Sequence, residues 1–177
     1  MSSKYKFNNP AGLYFVSFAV KEWIDVFTRN EYKNIVVESL SYCQKKKGLV
    51  LYAWCIMSNH VHLIISSIAD CLLQDILRDL KRYTSKTIVE AIRENPQESR
   101  KEWLLEKFRN KDGITFWGSD NHPIELFSNK VITQKLNYLH DNPVKEGLVF
   151  KDEQYVYSSA IDYAGEKGLL DLVLLSF

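Results

Sequence analysis

Hydrophobic residues along the chain form two kinds of pattern. Apolar runs of strand length, rich in aromatic and β-branched residues, predict strands at 13–20, 49–57 and 60–66. Other stretches repeat apolar residues every three or four positions, which predicts helices at 31–47, 72–93 and 129–142. We expect Gly48 to end the first of these helices and Pro143 to end the last.

The segment between the last two predicted helices is less regular. Its pattern indicates a short helix at 103–108 and short strands at 116–117 and 124–127. The complete order is then β-α-β-β-α-β-α. This order is typical of the α+β class and of a ferredoxin-like, split β-α-β fold. Such a fold has an antiparallel sheet with helices on one face, and here it carries an additional C-terminal helix.

Composition limits the compartment and the partners of the chain. The 177 residues include 23 Lys+Arg and 22 Asp+Glu, so any contact with nucleic acid must be a local basic patch. The three cysteines, Cys43, Cys55 and Cys71, form no CxxC motif and predict reduced thiols in a cytoplasmic protein. No apolar run is long enough to cross a membrane, so we expect no membrane partner.

Two histidines separated by one residue are the first candidate for chemistry. His60 and His62 lie in a predicted strand, so both imidazoles should point to the same face of the sheet. Two neutral imidazoles at this spacing can bind one divalent metal ion. On this reading the His62 ring faces an open active site. A structural reading also stays open, in which His60 caps the preceding turn and His62 is a hydrogen-bonded core residue.

A tyrosine and an asparagine in the last predicted helix are the second candidate. Tyr138 and Asn142 are four residues apart and therefore share one face of that helix. The carbonyl oxygen of Asn142 is a suitable third metal ligand, with Tyr138 one turn away. The structural alternative is that Tyr138 packs on the rim of the domain and Asn142 caps the helix C-terminus.

These two pairs together suit the cleavage of a phosphodiester. Tyrosine is a weak nucleophile at its free pKa of about 10, and a metal ion can stabilise the charge that develops on an attacked phosphate. Attack by Tyr138 would leave a phosphotyrosine bond to one DNA end and free a hydroxyl, and the hydroxyl can reverse the step. The histidine motif itself contains no cysteine, which favours Mg²⁺ or Mn²⁺ over a structural Zn²⁺.

Three segments resemble a known transposase family. Residues 57–65, MSNHVHLII, resemble the histidine–hydrophobic–histidine (HUH) motif of the single-tyrosine, IS200-like transposases. Residues 138–149, YLHDNPVKEGLV, resemble the YIHxNPVxxGLV segment of the REP-associated tyrosine transposase branch. Residues 120–126, DNHPIEL, resemble the stretch that precedes this helix in relatives.

The resemblance implies one HUH transposase-like catalytic domain over residues 1–177, with a ferredoxin-like fold and a catalytic C-terminal helix. It implies that the protein cuts and rejoins single-stranded or hairpin DNA with a divalent metal. His60 and His62 would be metal ligands, Asn142 the third ligand, and Tyr138 the nucleophile of a covalent 5′-phosphotyrosine intermediate. Other branches carry Gln where this chain has Asn142. Residues 160–177 do not match the basic C-terminal tail of some REP-associated members.

Basic and aromatic residues outside these motifs are candidates for contacts with DNA. They are Arg78, Lys81, Arg82, Lys86, Lys135, Lys145 and the aromatic Trp117. Arg78, Arg82 and Lys86 form one ridge of the second helix and can follow a phosphate backbone. Trp117 is a candidate platform for an unpaired base. We expect structural roles for three further residues, His122, His140 and Tyr83.

The sequence leaves three functions open. The first is a transposase, and the second is a domesticated DNA-hairpin-binding protein without transposition activity. The third is a metal-dependent nuclease that uses water in place of Tyr138. Only a tyrosine nucleophile leaves the protein covalently attached to DNA, so trapping separates the first from the others. A homodimer also stays open, because the apolar tail 169–177 can pack on its own domain or on a second subunit.

Overall fold

The computed structural model describes residues 7–111, 113–121 and 123–176. Its helices are α1 Asn30–Lys46, α2 Leu73–Glu94, α3 Lys101–Phe108, α4 Asn129–Lys145 and α5 Ala160–Tyr163. Its strands are β1 Tyr14–Val20, β2 Leu49–Ile56, β3 His60–Ser67, β4 Arg109–Asn110, β5 Gly113–Ile114, β6 Trp117–Asn121 and β7 Ile124–Glu125. The predicted helices and strands are therefore present. The small β4–β5 hairpin and the short helix α5 are additions.

The main sheet is antiparallel and has the strand order β2-β3-β1-β6, with β7 pairing with β1. The hairpin of β2 and β3 is followed by helix α2, and β3 lies between β2 and β1. This is the split β-α-β arrangement, so the prediction of an α+β, ferredoxin-like fold is confirmed.

The strand register divides the side chains of the sheet between two faces. Ser17 lies opposite His62, and Ala19 lies opposite His60. Because directly opposed residues of an antiparallel pair point the same way, these four side chains share one face. We call it the histidine face. Helix α4 packs on this side of the sheet, against β2 and β3.

The opposite face of the sheet is covered by helices α1 and α2, which pack on each other. Phe18 points to this face, and its ring lies edge-on to the indole of Trp117 at 4.8 Å between centroids. The indole N–H of Trp117 donates a hydrogen bond of 2.9 Å to Oγ1 of Thr84 in α2. We call this side the helix face. The buried aliphatic residues of α2, spaced as in an amphipathic helix, pack into the core here.

Two sequence signals were expected to end helices, and one of them does. Helix α1 ends at Lys46, and Gly48 follows with a φ of 75°, a left-handed conformation that glycine adopts without strain. Helix α4 instead continues through Pro143 to Lys145, so the prediction that Pro143 ends it was wrong. A proline in the last turn removes its own N–H, while the carbonyls of Asn142 and Pro143 still accept from later N–H groups.

The C-terminal segment closes the free edge of the sheet beside β2. The backbone N–H of Ile56 donates to the carbonyl of Tyr157, and the N–H of Val173 donates to the carbonyl of Leu51. The apolar tail thus packs at least partly on its own domain. Within the described residues the three cysteines are free thiols, and no helix there combines the length and apolarity needed to span a membrane.

Candidate active site

His60 and His62 lie side by side on the histidine face. Their ring centroids are 4.6 Å apart, and the rings are nearly perpendicular. The prediction that both imidazoles share one face of a strand next to β2 is therefore confirmed. Two rings this close can direct their nitrogens at one point in space, as a shared metal ion requires.

His62 is covered, which differs from the expected open position. Its side chain is 3% exposed, with the ring of Phe15 stacked on it at 5.4 Å and the ring of Tyr138 edge-on at 5.4 Å. Neither ring nitrogen has a hydrogen-bond partner among the described residues. Burial lowers the pKa of His62 to about 3, with further contributions from His60 and Lys135. The ring is therefore neutral at pH 7 and has an unshared electron pair available.

His60 is held in one orientation by its neighbour in the chain. Its Nδ1 lies 2.7 Å from Oδ1 of Asn59, so a proton on Nδ1 leaves the lone pair on Nε2. Nδ2 of Asn59 donates in turn to Oδ1 of Asp25 and to the carbonyl of Trp23. Burial lowers the pKa of His60, and the nearby carboxylates of Glu146 and Asp25 partly oppose that shift.

Helix α4 carries Tyr138 to the histidines of the same chain. The helix buries one stripe, made of Leu136, Leu139, His140 and Pro143. Tyr138 lies next to this stripe and is 41% exposed, so one side of its ring contacts the site while the other side meets solvent. The ring also lies edge-on to Phe15 at 6.0 Å. A substrate that approaches from solvent can therefore reach this residue.

Two predicted basic contacts lie at the tyrosine. Nζ of Lys135 is 5.5 Å from the centre of the Tyr138 ring and 5.0 Å from that of Phe15. Nζ of Lys145 is 5.9 Å from the Tyr138 ring and 3.6 Å from a carboxylate oxygen of Asp141. Because ammonium groups attract phosphate oxygens, this pair makes the surroundings of Tyr138 suitable for a nucleic-acid backbone.

Asn142 follows Tyr138 by one turn, as predicted. Its Nδ2 donates a hydrogen bond of 2.8 Å to the carbonyl of Tyr138. This bond orients the amide, and Oδ1 accepts no hydrogen bond from the rest of the described chain. Glu146 lies one further turn along the helix, near enough for its charge to raise the pKa of His60. The helix therefore presents an amide oxygen and a carboxylate on the face that carries Tyr138.

The donor atoms fit a metal ion of open coordination. The described residues contain no group of three or more His, Cys, Asp and Glu side chains that could hold a metal by themselves. The two unpartnered nitrogens of His62, however, are buried polar atoms that need a partner, since an orphaned buried polar group is unfavourable. Two imidazoles with one amide oxygen leave positions free for a substrate.

Comparison with protein families gives a single clear assignment. Residues 13–110, more than half of the chain, match the family model described as "Transposase IS200 like". The chain belongs to the IS200-like transposase family. The matched segment of this IS200-like chain contains both histidines and ends before helix α4. Comparison with curated proteins finds no match.

A solved structure supports the fold of this IS200-like chain. It is similar to a REP-associated tyrosine transposase whose structure was determined bound to a REP hairpin, with a TM-score of 0.70 and 15% identity. That similarity covers 100% of this chain and 95% of the other. A provisionally assigned transposase from Deinococcus radiodurans R1 gives 17% identity over 79% of this chain and 97% of the other. Its TM-score of 0.46 is too low to establish a shared fold.

The structure does not bring the predicted basic ridge of α2 to the histidines. The helix that carries this ridge, Arg78, Arg82 and Lys86, and also Lys81, covers the helix face of the sheet. Arg78 is engaged with Asp75 and Asp79, and Nζ of Lys81 donates to the carbonyl of Gly118. Any contact between this ridge and DNA stays a prediction, and it would lie away from Tyr138.

The prediction of Trp117 as a base platform was wrong. Trp117 is 6% exposed, packs against Phe18, Phe27 and Phe116, and its indole N–H bonds to Thr84. Tyr83, for which a structural role was expected, is instead 62% exposed on α2. Trp23, for which the sequence gave no prediction, is exposed beside His60.

Three further residues at the site were missed from the sequence: Trp23, Asn59 and Glu146. Asn59 directly precedes His60, so its position next to a predicted ligand was a usable signal. Glu146 follows Asn142 by four residues. Because α4 was predicted to end before Pro143, Glu146 was not expected on the same helix face. His140 is structural as expected, with Nε2 at 2.8 Å from Oγ of Ser159. His122 lies outside the described residues.

Acid should destabilise the protein through its buried histidines. Burial lowers the pKa of His140 to about 4 and that of His62 to about 3, against an unfolded value near 6.5. Between these values the unfolded chain binds protons that the folded chain does not, so stability is present above pH 6.5 and is lost as pH falls. In metal-free buffer, protonation linked to each of these two histidines should lower the free energy of unfolding by about 2 kcal/mol between pH 7 and pH 5.

Urea denaturation at the two pH values measures this loss. A His140→Gln variant keeps a polar group near Ser159 but has no imidazole. Between pH 7 and pH 5 its unfolding free energy should fall by about half as much as that of the unsubstituted protein. An unfolding free energy that does not change between pH 7 and pH 5 would contradict the buried, neutral state of both rings.

Proposed function

We propose that this chain is a single-stranded DNA transposase that cleaves and rejoins DNA through a covalent 5′-phosphotyrosine intermediate at Tyr138. The observation that carries the proposal is the contact of the Tyr138 ring with His62, an imidazole with two unpartnered nitrogens in the same chain. Membership of the IS200-like family supports the chemistry, since the family is named for transposition.

The proposed step exchanges one phosphodiester bond for another. The hydroxyl oxygen of Tyr138 attacks phosphorus and loses its proton to solvent, and the bond from phosphorus to the 3′ oxygen breaks. The departing oxygen takes up a proton and becomes a free 3′ hydroxyl. The reverse attack by a 3′ hydroxyl releases Tyr138 and rejoins DNA, because each bond formed replaces a bond of similar kind.

The residues around Tyr138 have separate tasks in this step. Lys135 and Lys145 attract the phosphate backbone toward the hydroxyl. Phe15 and His62 hold the tyrosine ring from two sides and so limit its motion. Nε2 of His60, one nitrogen of His62 and Oδ1 of Asn142 would hold the divalent metal. That metal would supply positive charge to the scissile phosphate.

DNA with a hairpin is the proposed substrate class. The solved REP-associated tyrosine transposase to which the chain is similar was bound to a REP hairpin. The exposed tyrosine lies at the surface of the histidine face, where an unpaired strand can approach without a deep channel. We propose that the protein acts as a monomer or homodimer in which each chain supplies both its tyrosine and its histidines.

A covalent-trapping experiment tests the proposal. The protein is incubated with labelled single-stranded DNA carrying a hairpin, with Mg²⁺, Mn²⁺ or Zn²⁺, and then separated by denaturing electrophoresis. We expect a protein–DNA adduct with Mn²⁺ or Mg²⁺ that is absent with a chelator. Binding without an adduct would indicate a hairpin-binding protein, and DNA cleavage without an adduct would indicate a nuclease that uses water.

Asn59 should act as a positioning residue for His60. Removing its acceptor in Asn59→Ala frees the His60 ring and its tautomer, and we expect Mn²⁺ binding to weaken about 10- to 100-fold. Asn59→Asp keeps an oxygen for Nδ1 of His60 but turns a second carboxylate oxygen toward Oδ1 of Asp25, so it should recover only part of the affinity. Metal binding is measured by Mn²⁺ titration without DNA. Equal affinities of Asn59→Ala and the unsubstituted protein would contradict the role.

A further inference from the structure

An exposed tryptophan lies next to His60. The side chain of Trp23 is 62% exposed, and its ring lies edge-on to the His60 ring at 5.5 Å between centroids. A single exposed apolar residue is common on protein surfaces and needs no explanation by itself. Trp23 differs in two respects: its backbone has a left-handed conformation, and a cleft lies beside its side chain.

The turn that carries Trp23 has an unusual backbone that is fixed at several points. Glu22 and Trp23 both have a φ of 55°, in the left-handed region that residues other than glycine seldom occupy. The carbonyl of Trp23 accepts from Nδ2 of Asn59, and the N–H of Lys21 donates 2.8 Å to the carbonyl of Phe116. Strained conformations of this kind persist where the surrounding structure enforces them, and they concentrate at functional sites.

A cleft of about 310 Å³ lies beside the tryptophan. The Trp23 turn forms one side, and Gly118 and Ser119 line the other. Ser17 and Ala19, the small residues opposite His62 and His60, also line it, so the cleft lies one strand away from the histidines. Its volume is at the lower end of the range for pockets that bind small ligands.

We propose that this cleft binds one unpaired DNA base, stacked on the indole of Trp23, next to the phosphate that Tyr138 attacks. The inference rests on the proposed function and names where its substrate is held. Stacking on an aromatic ring suits a base in a single strand, because every base offers a flat face. A base held here would place its own phosphate near His60, and it would pull the strand across the histidine face toward Tyr138.

Equilibrium binding of single-stranded DNA tests the subsite. Measurements use the Tyr138→Phe background, so that cleavage does not interfere, and a mixed-sequence oligonucleotide with fluorescence detection. Trp23→Ala should weaken binding on the order of 5- to 100-fold, and Trp23→Tyr should recover most of the affinity. Quenching of tryptophan fluorescence by DNA should decrease strongly in both variants, because neither has an indole at residue 23 on which a base can stack.

Two controls separate stacking from a structural role. Tyr83, equally exposed on the helix face, is the matched position, and Tyr83→Ala should leave DNA affinity unchanged. Mn²⁺ titration of Trp23→Ala should give the affinity of the unsubstituted protein. A parallel loss of metal affinity would mean that Trp23 acts only through His60 and would overturn the subsite, as would unchanged DNA binding by Trp23→Ala.

The outcome for Trp23 is separable from the outcome for Tyr138. An adduct from the unsubstituted protein together with unchanged binding by Trp23→Ala would remove the base subsite and keep the proposed function. Trp23-dependent binding with no adduct from the unsubstituted protein would remove the cleavage step and keep the subsite.

Discussion

Tyr138→Phe is expected to abolish the covalent protein–DNA adduct while leaving the fold and DNA binding intact. The change removes one oxygen, and the structure gives that oxygen no hydrogen-bond partner among the described residues, so the free energy of unfolding should change by less than about 0.5 kcal/mol. The ring contacts with His62 and Phe15 do not need the hydroxyl. Denaturing electrophoresis measures the adduct, and urea denaturation measures the stability.

The matched control for this variant is Tyr83→Phe. Tyr83 is exposed on the helix face, so removal of its hydroxyl should leave adduct formation unchanged. Three other tyrosines are occupied by hydrogen bonds: the hydroxyls of Tyr155, Tyr157 and Tyr163 donate to Ile56, Asn34 and Tyr52. Robust adduct from Tyr138→Phe would show that the nucleophile lies elsewhere, and the role of Asn142 would then lose its support.

Local spacing made much of the fold and the histidine pair predictable. Alternation within a strand places His60 and His62 on one face whatever the strand packs against. In the same way, a spacing of four residues aligns Tyr138 with Asn142 on any helix. These relations depend on one element at a time, and the structure reproduces them.

The placement of the basic ridge shows what local spacing leaves undetermined. Helical periodicity correctly groups Arg78, Arg82 and Lys86 on one side of α2. It carries no information about which face of the sheet α2 covers, because that depends on the packing of α1 and α2 together. The sequence therefore predicted that these residues form a group, but it did not predict that the group lies away from Tyr138.

The positions of Trp117 and Trp23 depend on contacts between distant parts of the sequence. Trp117 was predicted to be a platform for an unpaired base, yet its indole bonds to Thr84, 33 residues earlier. Trp23 reaches His60 through a turn with positive φ at two residues that are not glycine. Propensity assigns little chance to such a turn, so the pattern around Trp23 gave no sign of it.

His62→Phe should abolish adduct formation and metal binding without unfolding the protein. The imidazole is 3% exposed between Phe15 and Tyr138, so a phenyl ring can occupy nearly the same space and keep both ring contacts. It also removes two buried nitrogens that lack partners, so metal-free stability should be equal or higher by about 1 kcal/mol. Adduct formation should fall more than about 100-fold, since changes behind a metal ligand alone cost about 10- to 100-fold.

The phenylalanine variant is more informative here than an alanine variant, His62→Ala. Alanine would leave a cavity where a buried ring was, and losses of about 3 kcal/mol or more are common for such truncations. An inactive His62→Ala protein could therefore be a poorly folded one, because the ring is covered and does not face open solvent as expected. His62→Phe keeps the packing and changes the chemistry. Full adduct formation by a well-folded His62→Phe protein would show that His62 is a core residue, and the metal site would then have to be rebuilt from His60, Asn142 and Glu146.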